Sequence, residues 1–153
     1  NKYDYAAMIH GDNQYSPKYL KEMLITLIKT ESASVTGSRM MNRKKALLGG
    51  MPFYKFVGNI FLTKFFNIFF DTSFTDCHTG YWFYDLNKIK KPWLKKFDNG
   101  FLFDLDMRLK LVKENCKIKE IPIKTRYGTE RSSIHFEYAL RFFLSTIINK
   151  FKK

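Results

Sequence analysis

Two short apolar runs on either side of an amphipathic stretch constrain this chain more than anything else in it. Tyr5 to Ile9 (YAAMI) is the right length for a buried strand, and it stops at Gly11-Asp12-Asn13. Ser16-Pro17 then reads as a helix start, with Ser as the cap and Pro in the first turn, where its missing N–H costs nothing. Leu20, Met23, Leu24, Leu27 and Ile28 recur at helical spacing, which predicts a helix over 17–30. Ala33 to Gly37 (ASVTG) reads as a second strand. Strand, helix, strand is the pattern of a crossover connection, so the sequence predicts an α/β fold with a mostly parallel sheet. Such sheets bind ligands at the C-terminal ends of their strands, which here means Asp12 and Arg39.

The remainder is consistent with that class. Residues 43–50 are basic and then Gly-containing, and read as a mobile loop. Pro52 opens a Phe-rich helix to about Phe70, on which Lys55, Asn59, Thr63 and Asn67 recur every four residues. So thin a polar stripe predicts a helix that is mostly buried or in contact with lipid. Residues 75–83 (TDCHTGYWF) read as loop into strand, 101–114 as a helix and 118–123 as a short alternating strand. A polar, basic loop covers 125–133, and residues 134–153 form a basic amphipathic helix set apart from the α/β portion, 1–133.

Charge narrows the partners. Lys and Arg number 27 against 14 Asp and Glu, a net charge of +13, which favours phosphates, anionic lipid or nucleic acid. Cys77 and Cys116 form no CxxC pair, and two cysteines make no disulfide framework, so a reduced, cytoplasmic setting is expected. No stretch reads as a signal peptide or a spanning helix. The chain opens on Asn1 and enters a strand almost at once, so an N-terminal part is expected to be missing.

Several residues carry candidate chemistry. Mg²⁺ and Mn²⁺ take oxygen ligands, and Asp12 at a strand end is a natural one, with Gln14 to add or position a ligand. Asp12 and Asn13 equally suit the turn before Ser16. Arg39 offers a planar fork to a phosphate. Asp76, just before Thr79-Gly80, is a candidate base or acceptor-orienting group. Cys77-His78 has no matching pair elsewhere to complete a metal site. Arg126, Arg131, Ser132 and Ser133 share one loop and suit a diphosphate or lipid phosphate. Asp104 and Asp106 lie on the helix after Gly100-Phe101, where a carboxylate facing the strand ends would sit near a sugar.

Taken in order, the segments HGDNQYSP, VTGSRM, GGMPFYKFVGNIFLTKFFN, TDCHTGYWF, GFLFDLDM and KEIPIKTRYGTERSS resemble the polyprenyl-phosphate glycosyltransferases of family 2, the dolichyl-phosphate mannose synthase-like group. The resemblance implies the C-terminal portion of a GT-A fold over 1–133, a nucleotide-sugar donor, Mg²⁺ or Mn²⁺, and inverting transfer to a polyprenyl phosphate at the cytoplasmic face of a membrane. In the family's Asp-x-Asp-x-Gln motif, Asp12 and Gln14 match the second Asp and the Gln, and His10 stands at the first Asp position. Arg39 and Asp76 match the family's Arg and acidic residue, and Lys55 and Arg126 fall where it places basic groups near the phosphates. Thr79, Gly80 and Asp104 then fall on the acceptor and sugar side. A soluble acceptor in cell-envelope synthesis is the alternative. A nucleic-acid-binding domain is disfavoured, because the aromatics sit at helical core spacing and no such motif is present.

Overall fold

The computed structural model describes residues 2–12, 14–94, 97, 102–127 and 136–151. Its elements, in chain order, are β1 (Tyr5–Met8), a 3-10 turn (Pro17–Tyr19), α1 (Leu20–Thr30), β2 (Ser34–Ser38), α2 (Arg43–Leu48), α3 (Phe53–Phe70), β3 (Trp82–Asp85), α4 (Lys91–Leu94), α5 (Phe103–Lys113), β4 (Ile118–Pro122) and α6 (Phe136–Phe151). The α/β class expected from the sequence is the class observed, a four-stranded open sheet with helices packed around it.

The sheet is mixed rather than mostly parallel, with strand order β1-β3-β2-β4. The crossover through α1 does set β1 and β2 running the same way, but they are not neighbours. β3 lies between them, antiparallel to both, in register Ala6↔Tyr84 and Val35↔Phe83. Only β2 and β4 pair in parallel, with Val35 opposite Lys119. This gives one edge of the sheet a mixed composition. The C-terminal ends of β1, β2 and β4 meet there with the N-terminal end of β3.

Side-chain alternation on β3 builds the two faces, because neighbouring residues on a strand point to opposite sides. Tyr81 and Phe83 pack with Val35 and with Met23 and Leu27 of α1. Trp82 and Tyr84 pack on the other face with Trp93 of α4 and with Met107 and Leu111 of α5. A third cluster, Phe66, Cys77, Leu105, Leu109 and Phe142, joins α3, α5 and α6.

Several local expectations change. β1 was expected to be buried but alternates between exposed and half-buried, because β3 is its sole partner among the described strands. Ser16 makes no side-chain cap, and Pro17 opens a 3-10 turn before α1. The expected loop at 43–50 is largely helix. Asn42 caps it by accepting from Lys45 N at 3.1 Å, and Ala46 anchors it against Met40 and Met51.

Candidate active site

The site assembles on that mixed edge. Asp76 is fully buried in the loop before β3, and its carboxylate is saturated. Arg39 at the end of β2 donates through Nε to Oδ2 at 2.7 Å and through Nη2 to Oδ1 at 2.9 Å, a bidentate pair. The Arg39 backbone N–H adds a bond to Oδ2, while Asn59 Nδ2 at 2.8 Å and the His78 N–H at 3.1 Å complete Oδ1. Glu120 of β4 fixes the loop from the other side, accepting from Thr75 N and Asp76 N. Burial pushes the Asp76 carboxyl up, but the Arg39 guanidinium and the bonds from Arg39 and Asn59 more than reverse this. Its pKa ends well below the usual carboxylate range.

That geometry bears on Asp76 as a candidate base. A carboxylate with five convergent donors and a depressed pKa has little capacity to take a proton. What it does is hold Arg39. The guanidinium keeps Nη1 toward the Tyr127 hydroxyl at 3.3 Å. Lys55, from the first turn of α3, lies over the Tyr127 ring at 5.8 Å. Burial, and then the nearby Arg39 charge, lower the Lys55 pKa. Tyr127 arrives because Gly49 lets the backbone of 125–127 come close: a Cβ there would lie 2.7 Å from the Thr125 oxygen. Tyr127 N then donates to Gly49 O.

The segment after β1 closes the other side. Asp12 accepts from Gln14 N at 3.1 Å through Oδ1, so it makes the turn that its residue type allows. Gln14 O in turn accepts from the backbone of the exposed Arg126. His10 is exposed, with its ring laid on Gly80. A Cβ on Gly80 would fall inside the His10 ring at Nε2 and Cε1, so any larger residue would displace the ring from this position. Tyr15, which the sequence reading passed over, is buried against Tyr81, and burial raises its hydroxyl pKa in the field of Arg39, Asp76 and Tyr127. Thr79 is fully buried, and its hydroxyl accepts from Tyr81 N within the turn.

Asp104 stands in the first turn of α5 on the same side as His10. Burial raises its carboxyl to about 6, opposed in part by His10 and Arg108. Trp82 gives its indole N–H to Thr79 O, and Asp104 Oδ1 is buried with no partner among the described residues. A carboxyl raised by burial, with one oxygen unpartnered among the described residues, makes Asp104 a candidate base. Arg108, one helical turn on, is fully buried between the rings of Phe74 and Trp82, at 4.6 and 4.7 Å. Asp106 lies half-buried in the same first turn.

The structure therefore gathers Arg39, Lys55 and Asp76 into one cluster and sets His10, Gly80 and Asp104 beside one another. Arg131, Ser132 and Ser133 lie outside the described residues. Asn59, Thr63, His78 and Tyr127 belong to the first cluster and were not singled out from sequence, although the four-residue stripe on α3 carried the signal for two of them. Cys77 is buried and His78 half-buried at the site. Burial pushes the thiol up to about 12, and it drops the imidazole to about 3 against the opposing pull of Asp76. His78 Nδ1 meets the Tyr138 hydroxyl of α6 at 3.1 Å.

For a divalent cation, no group of three or more His, Cys, Asp or Glu side chains among the described residues could form a binding site. The donor set fits a more limited arrangement. Asp12 can offer Oδ2 to a cation that draws its other oxygens from a diphosphate and water, as Mg²⁺ commonly does.

No family model matches the chain. Over 123 residues, 78% of its length, it is 29% identical to the low-salt glycan biosynthesis hexosyltransferase Agl6 of Haloferax volcanii. The matched region is 28% of that protein, so the chain spans little more than a quarter of this relative. The chain is thus similar to part of a glycan-biosynthesis hexosyltransferase.

Proposed function

We propose that the chain is the metal- and acceptor-side part of a family 2-type glycosyltransferase. It would move a sugar from a nucleotide-sugar donor to a polyprenyl phosphate at a membrane surface. The observation that carries this reading is the buried Arg39–Asp76 pair with Lys55 and Tyr127 beside it, on the sheet edge where β1, β2 and β4 end. Charge that is already oriented, and paid for in folding, stabilises a phosphate without reorganising during reaction. Arg39 Nη1 and Lys55 are the groups presented to it. Asp12 would hold Mg²⁺ or Mn²⁺ against the donor diphosphate, and the bound cation would offset the charge that develops on the leaving group.

Two outer ridges support the membrane surface. On α3, Phe53, Phe61 and Ile68 are 71%, 63% and 69% exposed, while Asn59 and Thr63 face inward. On α6, Ile148 and Phe151 are 59% and 78% exposed. The two helices meet where Phe65 stacks on Phe143 at 4.3 Å. No helix of the described residues is long and apolar enough to cross a membrane, so these ridges would lie in the interface. Each large side chain transferred from water contributes roughly 1.5–3 kcal/mol. Each lysine near an anionic leaflet adds on the order of 1 kcal/mol.

Asp104 favours a second reading, transfer to a sugar hydroxyl of a soluble acceptor. A phosphate acceptor already ionises near pH 6 and needs no base, whereas a hydroxyl does. Transfer of radiolabelled sugar by the full-length protein separates the two. Label partitioning into organic solvent, with Asp104→Asn retaining most activity, supports the lipid phosphate. Water-soluble product, with a loss of about 10²-fold or more in Asp104→Asn, supports the hydroxyl. Retained turnover in Asp12→Asn would refute the cation assignment. Flotation with anionic vesicles that survives Phe61→Glu and Ile68→Glu together would remove the membrane surface.

A further inference from the structure

Helix α3 is polar on the wrong side for an ordinary surface helix. Its outward face carries Tyr54, Val57, Phe61 and Ile68, relieved only by Lys64. Its inward face buries Asn59 and Thr63, which are 7% and 4% exposed. Polar groups in an apolar interface are costly unless each finds a partner. Here the partners form one directed chain. Thr63 Oγ accepts from Cys77 N at 3.1 Å and donates its single proton to Asn59 Oδ1 at 3.1 Å. That fixes the Asn59 amide, so its NH₂ must face Asp76 Oδ1, which it reaches at 2.8 Å. The Asp76 carboxylate is thereby tied to α3, and the Arg39 fork grips both of its oxygens through Nε and Nη2. Nη2 is also spent on His78 O. The orientation of the remaining nitrogen, Nη1, which also donates to the Tyr127 hydroxyl, follows from the rest.

We propose that Asn59 and Thr63 are positioning residues that aim Arg39 at a ligand phosphate by fixing the Asp76 carboxylate. The proposal rests on the phosphate-binding reading of Arg39 and adds two residues to it. Neither touches the ligand. They act because a bidentate pair transmits a rotation: if the carboxylate turns, both bonds to the guanidinium turn with it. Aim matters more than charge here, since Arg39 stays cationic in any variant. Asn67 provides the internal control. It belongs to the same polar stripe, but its amide is spent on Phe74 and Thr72 and does not contact Asp76.

Titration of the full chain with inorganic pyrophosphate, followed on the Arg39 Nε–H resonance by ¹⁵N NMR, tests this. Wild type is expected to show a saturable shift. Asn59→Ala and Thr63→Val should weaken binding about tenfold, the equivalent of part of one charge-assisted hydrogen bond. Thr63→Ser retains the hydroxyl and should restore binding. Asn67→Ala should lower the melting temperature and leave affinity unchanged. Wild-type affinity in Asn59→Ala and Thr63→Val overturns the proposal, as does an equal loss in Asn67→Ala, which would reveal a general packing effect. Failure of the underlying reading looks different: the Arg39 Nε–H of wild type itself would show no shift with pyrophosphate, and the proposal would fall with it.

Discussion

Asp76→Asn removes one charge and almost no volume, and the structure sets its cost. Arg39 N and Nε converge on Oδ2, and Arg39 Nη2, Asn59 Nδ2 and His78 N converge on Oδ1. An amide must turn its NH₂ toward one of these sets. The cheaper choice opposes the two donors at Oδ2. Each buried donor left unpaired costs about 1–3 kcal/mol. Breaking the buried pair from the Asp76 side costs roughly 3–5 kcal/mol in all, the unpaired donors and the uncompensated Arg39 charge included. For a chain of this size that lowers the melting temperature by about 6–20 °C. Thermal and urea unfolding followed by circular dichroism measure it. Arg39→Met with Asp76→Leu should be less damaged than the sum of the single changes, because the two charges leave together. The pH dependence follows from the depressed native pKa. The stability from Asp76 is complete above the ordinary carboxylate value of about 4 and is lost as pH falls below it. The gap between wild type and Asp76→Asn should therefore narrow in acid. A destabilisation under about 1 kcal/mol, or strict additivity in the double variant, would falsify the account of the pair as a buried, mutually dependent unit.

Three further outcomes follow from the site. Asp104 holds its proton to higher pH in the folded state than in the unfolded one, so its contribution to stability declines as pH rises from about 4 to 6, by on the order of 1–2 kcal/mol. Asp104→Asn should abolish that part of the pH profile, and a carboxyl carbon NMR titration placing Asp104 near the unperturbed value of about 4 would contradict the reading. Gly80→Ala should displace the His10 ring and reduce transfer while lowering stability little, since His10 is exposed; unchanged activity would mean that the His10 position is immaterial. With a thiol pushed up to about 12 by burial, Cys77 should resist iodoacetamide in the native state, whereas the half-buried Cys116 should be modified first, as peptide mapping would show.

Much of the fold was legible because it is local. The helical spacing of Leu20, Met23 and Leu27 gave α1, and the alternation of IKEIPI gave β4. The place of β3 was not legible, since nothing within WFYD records that it enters between β1 and β2. That pairing is decided by contacts far apart in sequence. α2 was misread because its cap, Asn42, precedes three basic residues that resemble a loop. The candidates Asp12, Arg39, Asp76 and Asp104 are singled out by residue type and position. Their environments are not, because saturation of Asp76 and the raised pKa of Asp104 are products of tertiary burial. The stripe Lys55-Asn59-Thr63-Asn67 was seen, but periodicity alone does not say whether a polar stripe faces out or in.

The inverted polarity of α3 also changes how sequence variation along it should be judged. On an ordinary surface helix, replacing an outer Phe by Glu is benign and replacing an inner Asn by Leu improves the core. Here a solubilising programme at Phe53, Phe61 and Ile68 would leave the Arg39 cluster intact and remove the surface proposed to meet the membrane. A core-optimising programme at Asn59 or Thr63 would yield a more apolar interior around a guanidinium that no longer points anywhere useful. Changes on the outer face of this one helix should therefore read out in membrane contact, and changes on the inner face in the aim of Arg39.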